Sequence, residues 1–262
     1  MPTVTLLSKV YVDSQMKEVE NNLKLILEGL DVETETLGTT SRGLLQISLS
    51  GEDETVALRY LAGEIGLCPT DLANVAKFSI VKGYLNRIDR NASELRVDIG
   101  VFQPAQVDAV IPLSTLQAQL ADGRKLALPK LVELFDFHEN LPLTIKIYDM
   151  NKENGTIEAA LSEGQLALYR SWTKSLLDRL LILGASFNEV LVALKRAHYD
   201  REIAKIEPLG MFEHAVACKL GTDATGLIPK IGRNLRKAGF SVYNPRKIMN
   251  FFGADCGLLI SS

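Results

Sequence analysis

VKGYLNRIDR (81–90), ELRVDIGV (94–101), DAVIPLSTL (108–116), LPLTIKIYD (141–149) and GTIEAALS (155–162) are five short stretches of strand-like composition. Apolar residues at every second position mark a strand with one face in a core and the other outside it. Leu95, Val97 and Ile99 point inward, with Leu143, Ile145 and Ile147. Lys82, Tyr84, Arg96, Lys146 and Tyr148 point outward. Together these stretches predict a small β-barrel over 77–162. A segment at 121–139 (ADGRKLALPKLVELFDFHE) splits it and adds a helix carrying Phe135 and Phe137.

The order and punctuation of these strands resemble the S-one domain, an OB-fold repeat named after a bacterial small-subunit ribosomal protein. Gly83 stands two residues before Leu85 near the start of the first strand, and Val97-x-Ile99-Gly100 ends the second. Ile111, Pro112 and Ser114 make the following step, and Leu161-Ser162 closes the last strand. The aromatic-Gly pair often found ahead of the second strand is replaced by Asn91-Ala92-Ser93. The resemblance implies an RNA-binding barrel. Its outer face mixes rings and cations, and rings stack on bases while cations track phosphates. Lys82, Tyr84, Arg96, Lys146 and Tyr148 are therefore the candidate contacts, with Asp98 on the same face acting against them.

The fold class read from the whole chain is α+β. Residues 1–76 read as a βαββα unit: strand 3–12, helix 16–30, strands 32–37 and 44–50, and helix 52–67. Val19, Leu23, Leu27 and Leu30 share a face of the first helix. Pro69 opens a linker-like stretch before the barrel. Residues 163–202 read as a helical pair. Ser162 with Gln165 and Ser186 with Glu189 have capping-box spacing, and the first helix is expected to run to about Leu183 before Gly184 stops it. Residues 203–262 read as an α/β unit with a strand at 211–220, a helix at 229–238 capped by Gly239, a strand at 240–244, a short helix at 245–252 and a closing strand at 256–261.

TTSRGLLQISLSGEDE (39–54), IPLSTLQAQLADGRKLAL (111–128) and CKLGTDATGLIPKIGR (218–233) resemble an uncharacterised archaeal family, domain of unknown function 2110. That resemblance names no activity and implies an archaeal, cytoplasmic setting. The order of barrel, helical segment and α/β unit is similar to the alpha subunit of archaeal and eukaryotic translation initiation factor two. It implies a translation-associated role.

Charge divides the 262-residue chain. Residues 1–76 carry 5 basic and 12 acidic side chains, whereas residues 203–262 carry 8 and 4, within a net charge of −3. An acidic head and a basic tail suit different partners. Cys68, Cys218 and Cys256 are odd in number and far apart, which reads as reduced thiols in a cytosolic protein. No apolar run reaches the roughly 18–20 residues of a membrane span.

The tail holds the remaining candidates. Gly221-Thr222-Asp223-Ala224-Thr225-Gly226 is a Gly-bracketed loop ahead of a helix, and amides at a helix N-terminus hold phosphates. Gly221, Thr222, Thr225 and Gly226 form this phosphate-loop candidate, beside the alternative of a turn with a capping Thr. Leu227 and Ile228 stand where a P-loop has Lys and Ser/Thr, so nucleotide hydrolysis is not expected. Lys230, Arg233 and Lys237, at i, i+3 and i+7, are expected to share a helix face, with Arg246 and Lys247 approaching from the next helix. Such a face suits an RNA backbone. His138, His198 and His214 sit in no nucleophile motif, and His214 with Cys218 and Cys256 falls short of a zinc pattern. No catalytic residue, metal or cofactor is expected. The leading reading is a non-enzymatic RNA- or ribosome-associated factor. The alternatives are a protein-interaction module, dimeric or not, working through residues 1–76 or 121–139, and an enzyme acting on RNA.

Overall fold

The computed structural model describes residues 3–89, 92–152 and 154–253. The first unit is β1 (Thr3–Lys9), α1 (Met16–Ile26), β2 (Glu33–Thr39), β3 (Leu44–Ser50) and α2 (Glu54–Glu64), the expected βαββα order. Its antiparallel sheet runs β1-β3-β2. Leu6, Leu45, Ile47 and Leu49 pack under Val19, Leu23, Ala57 and Leu61 of the two helices. The other face of this sheet is not solvated. Thr5 and Ser48 on it are buried.

That second face lies on the barrel. β4 (Thr70–Asp71), β5 (Ile80–Leu85), β6 (Glu94–Gln103), β7 (Val107–Pro112), α3 (Leu113–Leu120), α4 (Leu128–Phe135), β8 (Pro142–Asn151) and β9 (Thr156–Leu161) follow in order. β5 pairs with β6, β6 with β7, β7 with β9, β9 with β8, and β8 returns to β5, so five strands close on themselves. β7 and β9 are parallel and the other pairs of the ring antiparallel, which is the OB arrangement. Gly83 is required in the ring, because a Cβ there would stand 2.6 Å from the Asp98 carbonyl of the neighbouring strand.

Two expectations about this region change. The third strand ends at Pro112 rather than Ser114 or Leu116, because Leu113–Leu120 is helical and sends Leu116 and Leu120 into the core. The stretch after Pro69 is less of a linker than expected: β4 extends the barrel sheet by pairing in parallel with β6. The insertion carries a helix as expected. Leu131, Leu134 and Phe135 of α4 join Leu116 and Leu120 in the barrel core.

The last part comprises α5 (Glu163–Ser175), β10 (Arg179–Leu183), α6 (Phe187–Arg196), β11 (Ile203–Pro208), β12 (Glu213–Cys218), α7 (Ala224–Asn234), β13 (Gly239–Tyr243) and α8 (Pro245–Phe252). Ser162 accepts the Gln165 amide, and Ser186 with Glu189 forms a reciprocal capping box, each serine worth about 1 kcal/mol. The first helix does not reach Leu183. It stops at Ser175, where Leu176 turns left-handed, and residues 179–183 become a strand. That strand lies inside an antiparallel sheet ordered β11-β12-β10-β13 and is buried throughout. An apolar run buried on both faces has no period to separate strand from helix. The helical pair is thus helix, strand, helix, and its strand belongs to the C-terminal sheet. Leu180 and Ile182 pack under α6 and α7, while Leu181 and Ala215 face the barrel core.

α7 also shifts. It begins at Ala224 and ends at Asn234, so Pro229 lies inside it rather than in its first turn. Gly239 opens β13 instead of capping the helix. The closing strand expected at 256–261, and Cys256 with it, lie outside the described residues.

Candidate nucleic-acid interface

The outward side of the barrel is not one continuous surface, because the N-terminal unit covers much of it. Tyr84 points away from the barrel core as its position in the strand requires. Yet it is only 1 % exposed, buried with Leu7, Leu44 and Cys68. Its hydroxyl donates to the Leu7 carbonyl and accepts the Lys9 amide, both at 3.3 Å. Tyr84 is therefore an interdomain packing residue and cannot stack on a base. Lys82 is drawn the same way: its Nζ donates to the Leu209 carbonyl of the C-terminal unit, and burial lowers its pKa.

The β6–β7 side is closed by charge. Arg42, from the β2–β3 turn, forks onto Asp108 and reaches Asp98 Oδ2 at 3.4 Å. Asn86 also donates to Asp108 Oδ2, at 2.8 Å. The carboxylates and the burial of Asp98 under the N-terminal unit leave no basic track here. Arg96 remains exposed, with its guanidinium held by Glu94 at 2.8 Å.

The β5–β8 side is different. Ile80 pairs across the strands with Lys146, and the Phe78 amide donates to the Ile147 carbonyl at 2.9 Å, which sets Phe78 alongside Tyr148. Phe78 is 62 % exposed, Ile80 64 % and Tyr148 46 %. Each ring carries a cation: Lys77 Nζ lies 5.5 Å from the Phe78 centroid and Lys146 Nζ 5.9 Å from that of Tyr148. Asp149 accepts Lys77 at 2.9 Å. Phe78 has φ 67°, a left-handed setting that is costly for a bulky residue, of order 1–3 kcal/mol. Lys146 and Tyr148 thus stand where the strand alternation puts them. Lys77, Phe78 and Ile80 were missed, although the alternation of Lys82 carried back two steps reaches Ile80 and Phe78.

Behind this face the three units meet around Glu213. Its Oε1 accepts the Tyr11 hydroxyl at 2.8 Å, and Oε2 is buried with no hydrogen-bond partner. Burial pushes its pKa up to about 7, against the Tyr11 hydrogen bond and the nearby charges of Lys82 and Lys9. Lys9 donates to Asn140 Oδ1 and lies over the Tyr84 ring, and burial lowers its pKa.

The C-terminal candidates are dispersed. Asp223, not a threonine, caps α7, its carboxylate taking the Thr225 amide at 3.0 Å and the Gly226 amide at 3.2 Å. Thr225 and Gly226 lie in the helix, and Thr222 donates to Glu202 at 3.0 Å. The hollow beside Gly221, about 260 Å³, is lined by both Asp178 and Asp223, so the helix N-terminus is already occupied by negative charge. Arg246 and Lys247 are exposed in the first turn of α8 and act on Asp178, whose pKa burial raises against them. Lys230 and Arg233 are exposed on α7, Lys230 lying 5.1 Å from the Tyr199 ring. Lys237 falls beyond the helix end, so the expected three-residue face does not form.

A serine, histidine and aspartate also meet. Ser241 Oγ contacts His138 Nε2, and Asp136 Oδ2 lies 3.9 Å from that same nitrogen. A nucleophile relay needs the carboxylate on the opposite nitrogen; His138 Nδ1 faces the Glu139 carbonyl at 3.3 Å instead. Among the described residues no three His, Cys, Asp or Glu side chains cluster as metal ligands, and no helix is long and apolar enough to cross a membrane.

Three sequence profiles match the chain: the DUF2110 N-terminal domain over residues 3–70, the DUF2110 central domain over 77–173 and the DUF2110 C-terminal domain over 177–243. No curated protein matches significantly. Among solved structures, a protein from vaccinia virus (Wisconsin strain) is similar at 17 % identity over 34 % of this chain and 89 % of that one, with a TM-score of 0.23. The intact alpha subunit of aIF2 from Pyrococcus abyssi is similar at 11 % identity over 64 % and 96 %, with a TM-score of 0.25. The a/eIF2alpha–aDim2p–rRNA complex from Pyrococcus horikoshii OT3 gives 12 % over 49 % and 70 %, with a TM-score of 0.25.

Proposed function

The chain belongs to the DUF2110 family, and we propose that it is an RNA-binding factor, without catalysis of its own, that holds single-stranded RNA on the β5–β8 face of its barrel. The observation that carries this reading is the exposed pair Phe78 and Tyr148, each with a lysine over its ring. Exposed rings beside cations fit a strand whose bases stack and whose phosphates need neutralising. The basic α7–α8 region adds attraction at a distance. A cytoplasmic, ribosome-associated setting goes with this reading, and the buried unpaired thiols Cys68 and Cys218 suit a reducing compartment.

The test is fluorescence anisotropy with a labelled unstructured RNA of about 12 nucleotides, within the span such barrels occupy. Phe78→Ala and Tyr148→Ala should each weaken binding about five- to hundredfold, because stacking is worth about 1–3 kcal/mol per base. Melting should hardly change, since both side chains face solvent. A double variant that binds as tightly as the parent would sink the proposal. One observation favours a protein partner instead: Val56 and Tyr60 stand exposed one turn apart on α2. Clean dimerisation without RNA, abolished by Tyr60→Asp, would support that alternative.

A further inference from the structure

We infer that the RNA face leads into a groove between the three units, and that the groove ends in a cleft which takes one nucleobase of the bound strand. This rests on the RNA-binding reading above.

Ile80 belongs to the exposed face and also lines a hollow of about 500 Å³ with Thr144 and Lys82. A second hollow, about 410 Å³, shares Leu7, Glu64, Ile65 and Lys82 with the first. The two are therefore neighbours, with Lys82 lining both. The second has apolar walls from Leu25 and Ile26 of α1 and from Met211 and Phe187 of the C-terminal unit. An apolar hollow of this size with a few convergent polar groups is the ordinary form of a small-molecule site.

The polar groups suit a base better than a phosphate or an acyl chain. Asn22 offers an amide with both a donor and an acceptor. Glu64 lines both hollows, and its carboxylate repels phosphate while accepting an exocyclic amino group. His214 lines the cleft with both ring nitrogens buried and making no hydrogen bond of ordinary geometry. Burial lowers its pKa, opposed by the Ala185 backbone, so the imidazole stays neutral. A neutral imidazole carries one donor and one acceptor, so His214 brings an unspent hydrogen-bonding capacity to the wall of the cleft. Phe187 is 45 % exposed and stands edge-to-face with His214 at 6.0 Å. Its solvent face is a surface on which a base can stack. The cations Lys77 and Lys146 mark the outer end of the route, so phosphates follow the outer face while the base turns inward.

The experiment uses the full chain and a short unstructured RNA carrying 2-aminopurine at one position at a time. One position should give fluorescence unlike the others, and Phe187→Ala should abolish that difference while weakening binding about 5–50-fold. Asn22→Ala, a milder change on α1, should shift the same signal and serves if the first variant melts early. Binding that depends on Phe78 and Tyr148, with uniform fluorescence and no effect of either cleft variant, overturns the cleft and leaves the outer face standing. Absence of RNA binding to the parent chain overturns both.

Discussion

Replacing Glu213 by Gln removes a carboxylate that is fully buried where the three units meet. Burial raises its pKa from 4.5 to about 7, with the Tyr11 hydroxyl, Lys82 and Lys9 pulling the other way. An unfolded chain ionises this group near 4.5. Between that value and about 7 the folded protein holds a proton that the unfolded chain has lost, so stability falls as pH rises through this window. A shift of about 2.5 units at about 1.4 kcal/mol each makes the loss roughly 3 kcal/mol, complete above about pH 7 and absent below about 4.5. Of the groups around it, His214 titrates partly in the same window: burial lowers its pKa from 6.5, so its contribution rises with pH towards that value and opposes the loss, while the others act elsewhere. Burial lowers the pKa of Lys9 and Lys82, so their contribution changes in a higher window that closes near 10.5 and rises with pH. Burial raises Tyr11 and Tyr84, which therefore stay neutral throughout. Gln keeps an acceptor for Tyr11 and cannot ionise. Urea melts from about pH 5 to 8 should show the parent losing about 2.5 kcal/mol relative to Glu213→Gln, with the variant the more stable at the upper end. The slope is the readout, because a new amide adds a pH-independent cost of about 1–3 kcal/mol if unpaired. A variant with the parent's slope would refute the reasoning, since the proton would then belong to another group.

Arg42→Ala should cost roughly 2–4 kcal/mol in urea melts, because Asp98 and Asp108 are left together without their cation. Asp98→Asn added to it should recover part of that loss. Lys230→Ala with Arg233→Ala should flatten the slope of log K against log salt by about 1.4 if both meet phosphates of single-stranded RNA. An unchanged slope would make α7 a solvated face. Lys237 is left out because it stands past the helix end.

The strand alternation of residues 81–162 determined the barrel, because a two-residue period assigns each side chain to inside or outside without reference to anything distant. The same holds for the βαββα unit and for the caps at Ser162 and Ser186, which are local hydrogen bonds. What failed locally was the run Leu180–Leu183. A strand covered on both faces loses its period, and only the neighbours β12 and β13 on either side make it a strand. The candidate site divided along the same line. Tyr84, Lys82 and Tyr148 look alike in sequence, as outward residues of one barrel, and alternation can say no more than that. Tertiary structure decided what lies outside. The N-terminal sheet buries Tyr84, the C-terminal unit draws in Lys82, and Arg42 closes the β6–β7 side. Tyr148 alone of these three was left on a face with Phe78 and Lys146. Exposure depends on which other units dock, and docking is set by contacts between residues as far apart as Tyr11 and Glu213, which no local pattern records.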